Sequence, residues 1–170
     1  YKGHKIVPYC PRCGTALSSH EVAQGYKDVK EISAIAKFRI RGTEDEYVLA
    51  WTTTPWTLPS NVALAMNAKE TYVKVLFKGE KLILAQAHLS SVLGEDAEYE
   101  VLETKTGADY AGLRYEPLFD FVADDDKGFR VVNDDYVTLT DGTGVVHIAP
   151  AFGEDDARLG REHGLPFRQY

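Results

Sequence analysis

The sequence predicts a mostly β domain with short α-helices, compact and barrel-like, and three observations carry that expectation. Short runs of β-branched and aromatic residues recur along the chain with turn signals between them. One run, Ala34 to Arg41, alternates strictly, setting Ala34, Ala36, Phe38 and Ile40 against Lys37, Arg39 and Arg41. Only two stretches combine a helical length with a helical stop. A chain of 170 residues is most simply one domain with a proper core. Closing so many short strands into a closed or nearly closed barrel is the economical way to hide their edges.

Taken in order, residues 1–30 lack periodicity and read as a connecting segment, with residues 31–170 as the main domain. The segment holds both cysteines, in Cys10-Pro11-Arg12-Cys13-Gly14, a knuckle that supplies half of a tetrahedral zinc site. His4 and His20 are near in sequence but at no usual partner spacing, and a redox dithiol would need to open a helix in a βαβ unit. The expectation is half a site, with its other ligands elsewhere in a longer protein. The chain opens on Tyr1 and has its one methionine at position 66, which also reads as a segment of something longer.

After the alternating strand, Gly42 and Glu44-Asp45-Glu46 form a turn, and Tyr47 to Thr54 returns as the next strand. Asn61 to Met66 is a short apolar strand. Tyr72 to Phe77 and Leu82 to Ala85 flank Lys78-Gly79-Glu80-Lys81 as a hairpin. Ala87 to Leu93, stopped by Gly94, is the first expected helix. Tyr99 to Thr104, Leu118 to Val122 and Phe129 to Val132 are further strands, the last following an acidic turn at Asp124-Asp125-Asp126 that lacks the ligand spacing of a calcium loop. Val145 to Ala149 is a buried strand ended by Pro150. The second helix runs from Glu154 to His163, acidic in its first turn and stopped by Gly164 and Pro166.

Two stretches stand apart from this framework. Trp51-Thr52-Thr53-Thr54-Pro55-Trp56-Thr57-Leu58-Pro59-Ser60-Asn61 takes three β-branched hydroxyl residues to a strand end, because Pro55 cannot donate to a ladder. Alternation sends Thr52 and Thr54 to one face and Thr53 to the other. The second stretch is Gly142-Thr143-Gly144 through His147, Pro150, Phe152 and Gly153 to Glu154-Asp155-Asp156. The bland alternatives are strand-end capping for the threonines, a satisfied core histidine for His147, a turn amide for Asn61 and dipole-complementing acids at the helix start.

Composition narrows the function classes. A formal charge of −7 argues against a surface that grips nucleic acid broadly, since phosphate affinity comes from clustered Lys and Arg. No apolar run approaches the roughly 20 residues that span a bilayer. A noncatalytic barrel that stacks single-stranded RNA would set exposed aromatics among basic residues, whereas Trp51 and Trp56 are flanked by Thr, Leu and Pro. A zinc-ribbon interaction module would need a complete metal set.

Together the two stretches resemble the editing domains of the class I aminoacyl-tRNA synthetases for branched aliphatic amino acids. Thr54 and Trp56 point to the isoleucyl branch, because valyl and leucyl relatives typically carry Arg at the place of Thr54. The resemblance implies that Thr53, Thr54 and Asp156 are catalytic, with Asp156 taking the substrate's α-ammonium. It implies that Thr52, Trp56, Asn61 and His147 bind substrate, His147 limiting side-chain size. The implied substrate is tRNA(Ile) carrying valine at its acceptor end, with valyl-adenylate as a second, and the implied attacker is a positioned water. No cofactor serves that hydrolysis. The resemblance also implies a cytoplasmic parent synthetase that uses ATP, supplies the rest of the partner surface, and completes a zinc site with Cys10 and Cys13.

Overall fold

The computed structural model describes residues 6–28, 30 and 32–170. His4 lies outside the described residues. Near the start, β1 (Tyr9–Cys10) and β2 (Thr15–Ala16) form a two-stranded hairpin that carries the knuckle at its turn. Gly14, at a φ of 71°, closes the turn by donating its N–H to the Cys10 carbonyl at 2.9 Å. The following helix α1 (Ser19–Gln24) was not expected from periodicity. All its residues except the half-buried Val22 are exposed, so it has no apolar stripe to read; a capping box between Ser18 and Glu21 starts it.

The main sheet is organised around β4 (Glu46–Thr52). Strand β3 (Ala34–Arg39) pairs antiparallel along the full length of one edge of β4. The other edge is shared: β7 (Glu80–Ala85) runs parallel to its first half, through Tyr47 and Leu82, and β10 (Val145–Ile148) runs parallel to its end, where Val146 faces Trp51. From β10 the sheet continues through β5 (Ala63–Met66) to β9 (Arg130–Asn133). Residues 113–116 then bridge the gap, with Arg114 paired to Arg130 on one side and Tyr115 to Ile40 on the other. The ring β4–β10–β5–β9–(113–116)–β3 therefore closes on itself, which removes those edges. Strand β6 (Thr71–Phe77) and β8 (Glu100–Thr106) extend from β7 as an antiparallel wing.

The interior of the ring is filled by Phe38, Val48, Ala50, Leu64, Met66, Tyr115, Phe129, Val131 and Val145, every one of them buried. Tyr115 meets Phe38 and Phe129 edge-on at 5.2 and 5.9 Å. On the outer face, α3 (Glu154–Glu162) lays Leu159 against Val62, Ala63, Ala65 and Ile148. The hairpin β6–β7 turns on Lys78 and Gly79, both at positive φ, as a two-residue turn of that hand requires.

Two local expectations are corrected. Leu118 to Val122 is not a strand: Val122 donates its N–H to the Phe119 carbonyl, so the run folds into a turn whose Phe119 and Phe121 rings stack. Leu118, Phe119 and Val122 still pack on the core, while Pro117 has no N–H for a ladder and Phe121 is left exposed. The expected helix at Ala87 begins as a 3-10 turn, Gln86–His88, before α2 (Leu89–Leu93) ends at Gly94 with a φ of 107°.

Candidate active site

Because β4 and β10 are parallel, their C-terminal ends open at the same rim of the ring, beside the start of β5. Strand β4 ends at Thr52 and not Thr54; Pro55 then starts a 3-10 helix, Pro55–Ser60, that crosses the rim to β5. The alternation nonetheless holds where it matters. Thr52 is buried, Thr53 is exposed, and Thr54 turns back so that its Oγ1 lies 3.4 Å from that of Thr52. The Thr52 hydroxyl also accepts the N–H of Thr54 at 3.0 Å.

The line of hydroxyls continues beyond the expected set. Thr54 Oγ1 lies 3.3 Å from Thr57 Oγ1, and Thr57 Oγ1 lies 2.9 Å from His147 Nε2 on β10. Thr57 is thus the member that sequence reasoning missed. Its partner is 90 residues away in sequence, and the one local signal was a Thr three places after Thr54. His147 is 6% exposed, and burial pushes its pKa down to about 4, so the ring is neutral at physiological pH. Its Nδ1 is buried and has no partner among the described residues.

The glycines of the second stretch explain how β10 reaches this position. Gly142 has a φ of 80°, and a Cβ there would sit 2.8 Å from Cβ, Cγ and Cδ2 of Trp51. Only glycine lets the chain pass against the indole before turning into β10. Thr143 accepts the Ala85 N–H with its carbonyl, tying the start of β10 to the end of β7.

Asp156 stands in the first turn of α3, and its carboxylate accepts the N–H of Ala149 at 2.9 Å. The acid therefore grips the end of the strand that carries His147. Burial raises its pKa to about 6, against the lowering effect of the Ala149 hydrogen bond and with a small push from Asp155. Asp155 and Glu154, by contrast, are exposed.

The other expected residues divide. Trp56 projects from the 3-10 helix with 69% of its surface exposed, and Phe152 joins it at the rim as a second exposed aromatic. Asn61 is buried: Tyr115 donates its hydroxyl proton to Asn61 Oδ1 at 2.5 Å, and Asn61 Nδ2 donates to the Ala63 carbonyl at 2.8 Å. Its amide fastens the start of β5 to the ring. Cys10 and Cys13 carry free thiols on the hairpin. Backbone hydrogen bonds from Cys13 and Arg12, with the Cys13 thiol, hold the Cys10 thiol below its ordinary pKa, which suits a metal ligand. Among the described residues no group of three or more His, Cys, Asp or Glu stands together as a metal site, and His20 pairs with Gln24 along α1. Two thiols at Cys-x-x-Cys spacing are the donors that this hairpin presents.

No protein-family model matches the chain. It is 63% identical over 166 residues to the isoleucine–tRNA ligase of Clostridium acetobutylicum, a match covering 98% of this chain and 16% of that protein. It is 51% identical over 167 residues to the isoleucine–tRNA ligase of Bacillus thuringiensis, again 98% of this chain and 16% of the relative. The chain belongs to the isoleucine–tRNA ligase family, as one segment of it. It spans about one sixth of the length of these ligases, so the rest of such a protein lies outside the matched segment. Its fold is that of a synthetase editing domain. The structure of GlLeuRS-CP1 superposes with a TM-score of 0.63 at 16% identity, over 77% of this chain and 60% of that one. The editing domain of the Plasmodium knowlesi (P. knowlesi) cytosolic leucyl-tRNA synthetase gives 0.62 at 13% identity, over 78% and 62%. Identity this low speaks to fold alone, whereas the ligase matches run through both marked stretches. Among the described residues no helix is long and apolar enough to cross a membrane.

Proposed function

We propose that this segment is the proofreading unit of an isoleucine–tRNA ligase and hydrolyses valyl-tRNA(Ile), and valyl-adenylate by the same chemistry. The observation that carries the reading is the hydrogen-bonded line Thr52–Thr54–Thr57–His147 at an open rim, with Asp156 fixed to the adjoining backbone. An aminoacyl ester is already activated toward water, so no covalent nucleophile is required. Thr53, exposed, and Thr54, at the head of the 3-10 turn, hold the ester and the attacking water in line. The water's oxygen bonds to the carbonyl carbon and the ester C–O bond breaks. Its two hydrogens are divided between the departing ribose oxygen and the released amino acid.

Asp156 receives the α-ammonium. An ammonium arriving beside a carboxylate that burial has made reluctant to ionise restores its charge and drives off its proton, which makes the pair selective for aminoacyl esters. His147, buried and neutral, forms the wall against which the side chain is measured. Trp56 flanks the entry. Asn61 acts from behind, through Tyr115, to hold the rim in place.

The need for a second sieve is physical. A hydrophobic pocket separates substrates differing by one methylene by only about 1–3 kcal/mol, a limit for which this ligase family is itself the standard illustration. A pocket that admits valine and is overfilled by isoleucine inverts the problem, because overpacking costs about 1–3 kcal/mol. The parent polypeptide, cytoplasmic on this reading, joins isoleucine to tRNA(Ile) with ATP, supplies most of the tRNA contact and completes the zinc site begun by Cys10 and Cys13. Deacylation of valyl-tRNA(Ile) by the chain tests the reading, with phenylalanyl-tRNA(Phe) as an unrelated ester that should survive.

A further inference from the structure

His147 has one ring nitrogen engaged and one bare. Nε2 lies 2.9 Å from the Thr57 hydroxyl, while Nδ1 is buried with no hydrogen-bond partner among the described residues. A hydroxyl has one proton to give and two lone pairs to fill. That of Thr57 lies 2.8 Å from the Thr54 carbonyl, the usual acceptor for a threonine one turn on. With its proton directed there, Thr57 Oγ1 can only accept from His147, so Nε2 carries the ring proton. The opposite assignment would place the proton on Nδ1 and leave a buried N–H without an acceptor, the rarer kind of orphan. The result is a lone pair on Nδ1 with nothing to receive.

We propose that Thr57 is a positioning residue that fixes His147 in its Nε2–H tautomer, so that Nδ1 is held as a vacant acceptor for a hydrogen-bond donor of the bound aminoacyl ester. The inference rests on the editing function proposed above and adds to His147 a polar task beside its steric one. Two donors of such an ester have the required chemistry: the α-ammonium, and the free ribose hydroxyl beside the ester. Without the Thr57 hydroxyl the ring is free to exchange tautomers, and an Nδ1–H would repel either donor.

Nitrogen NMR of the histidine-labelled chain reads the tautomer directly, with the His147 signals assigned by their loss in His147→Gln. The expected result is a bare Nδ1 and a protonated Nε2. Adding 3′-deoxy-3′-(valylamino)adenosine, an amide that water does not cleave, should shift Nδ1 as it accepts a donor. A probe with a hydrogen in place of the amine, and a probe without the neighbouring ribose hydroxyl, separate the two donors: the one that fails to shift Nδ1 identifies it. Thr57→Val, which keeps the shape and loses the hydroxyl, should mix the tautomers and lower kcat/KM on valyl-tRNA(Ile) by about tenfold or more, the scale of one hydrogen bond to a charged group. Thr57→Ser should restore both. A protonated Nδ1 in the free chain, or an Nδ1 unmoved by every probe, overturns the proposal. If the chain cleaves no valyl-tRNA(Ile) while the tautomer and the shift are as expected, the editing reading fails and the acceptor role of His147 stands.

Discussion

Asp156 and His147 hold shifted ionisations in opposite directions, and their consequences for stability oppose each other. Between the ordinary aspartate value and about pH 6 the folded chain keeps a proton on Asp156 that the unfolded chain has released, so this group makes stability fall as pH rises. Between about pH 4 and the ordinary imidazole value the unfolded chain holds the extra proton on the histidine, so His147 makes stability rise with pH. Asp134, held low by Arg158, and Glu46, held low by Lys74, act below the ordinary carboxylate range and leave this window alone. Denaturant titrations should therefore find Asp156→Asn gaining stability steadily from pH 4 to 6.5, where the parent chain is flatter. In catalysis, kcat/KM on valyl-tRNA(Ile) should rise through about pH 6 as Asp156 ionises, and Asp156→Ala should abolish it with the fold intact. A dead Asp155→Ala beside a normal Asp156→Ala would move the ammonium partner one residue back. His147→Ala opens the wall and removes the Nδ1 acceptor, so it should begin to deacylate isoleucyl-tRNA(Ile) while acting on valyl-tRNA(Ile) at a reduced rate. Loss of both activities together with the thermal transition would make His147 a core residue only.

Among the elements, the strands that position the site were readable because each carries its own local evidence. The period-two pattern of β3 and the proline after the threonines needed no distant partner to interpret. What was not readable depended on contacts far apart in sequence. Asn61 was expected at the substrate, and its hydrogen bond with Tyr115, 54 residues on, could not be read from its own stretch. Thr57 was passed over for the same reason. Leu118 to Val122 has the composition of a strand, yet no neighbour offers it a ladder. The Gly142 turn is the element on which the site most depends, since it lets β10 pass the Trp51 ring. Gly142→Ala combines a left-handed backbone with a 2.8 Å approach to the indole and should cost at least about 2 kcal/mol, read as a lowered Tm, with slower editing as the His147 strand shifts. An unchanged Tm would mean that Trp51 yields freely.

Across the whole molecule, the closed ring explains how a small domain holds a rigid rim, and its charge bears on how it would meet tRNA. A net charge of −7 offers few phosphate contacts. The chain alone should bind tRNA weakly and with a shallow salt dependence; tight binding that falls steeply with salt would show that its Lys and Arg are clustered on one face despite the net charge. Weak binding lowers the rates on both charged forms of tRNA(Ile) alike, so their ratio still reports the pocket. The deciding measurement is thus the ratio of deacylation rates on valyl-tRNA(Ile) and isoleucyl-tRNA(Ile) at equal concentrations. The account predicts that the valyl ester is cleared at least about tenfold faster, the size of one overfilled methylene. Equal rates, or faster loss of the isoleucyl ester, would contradict it.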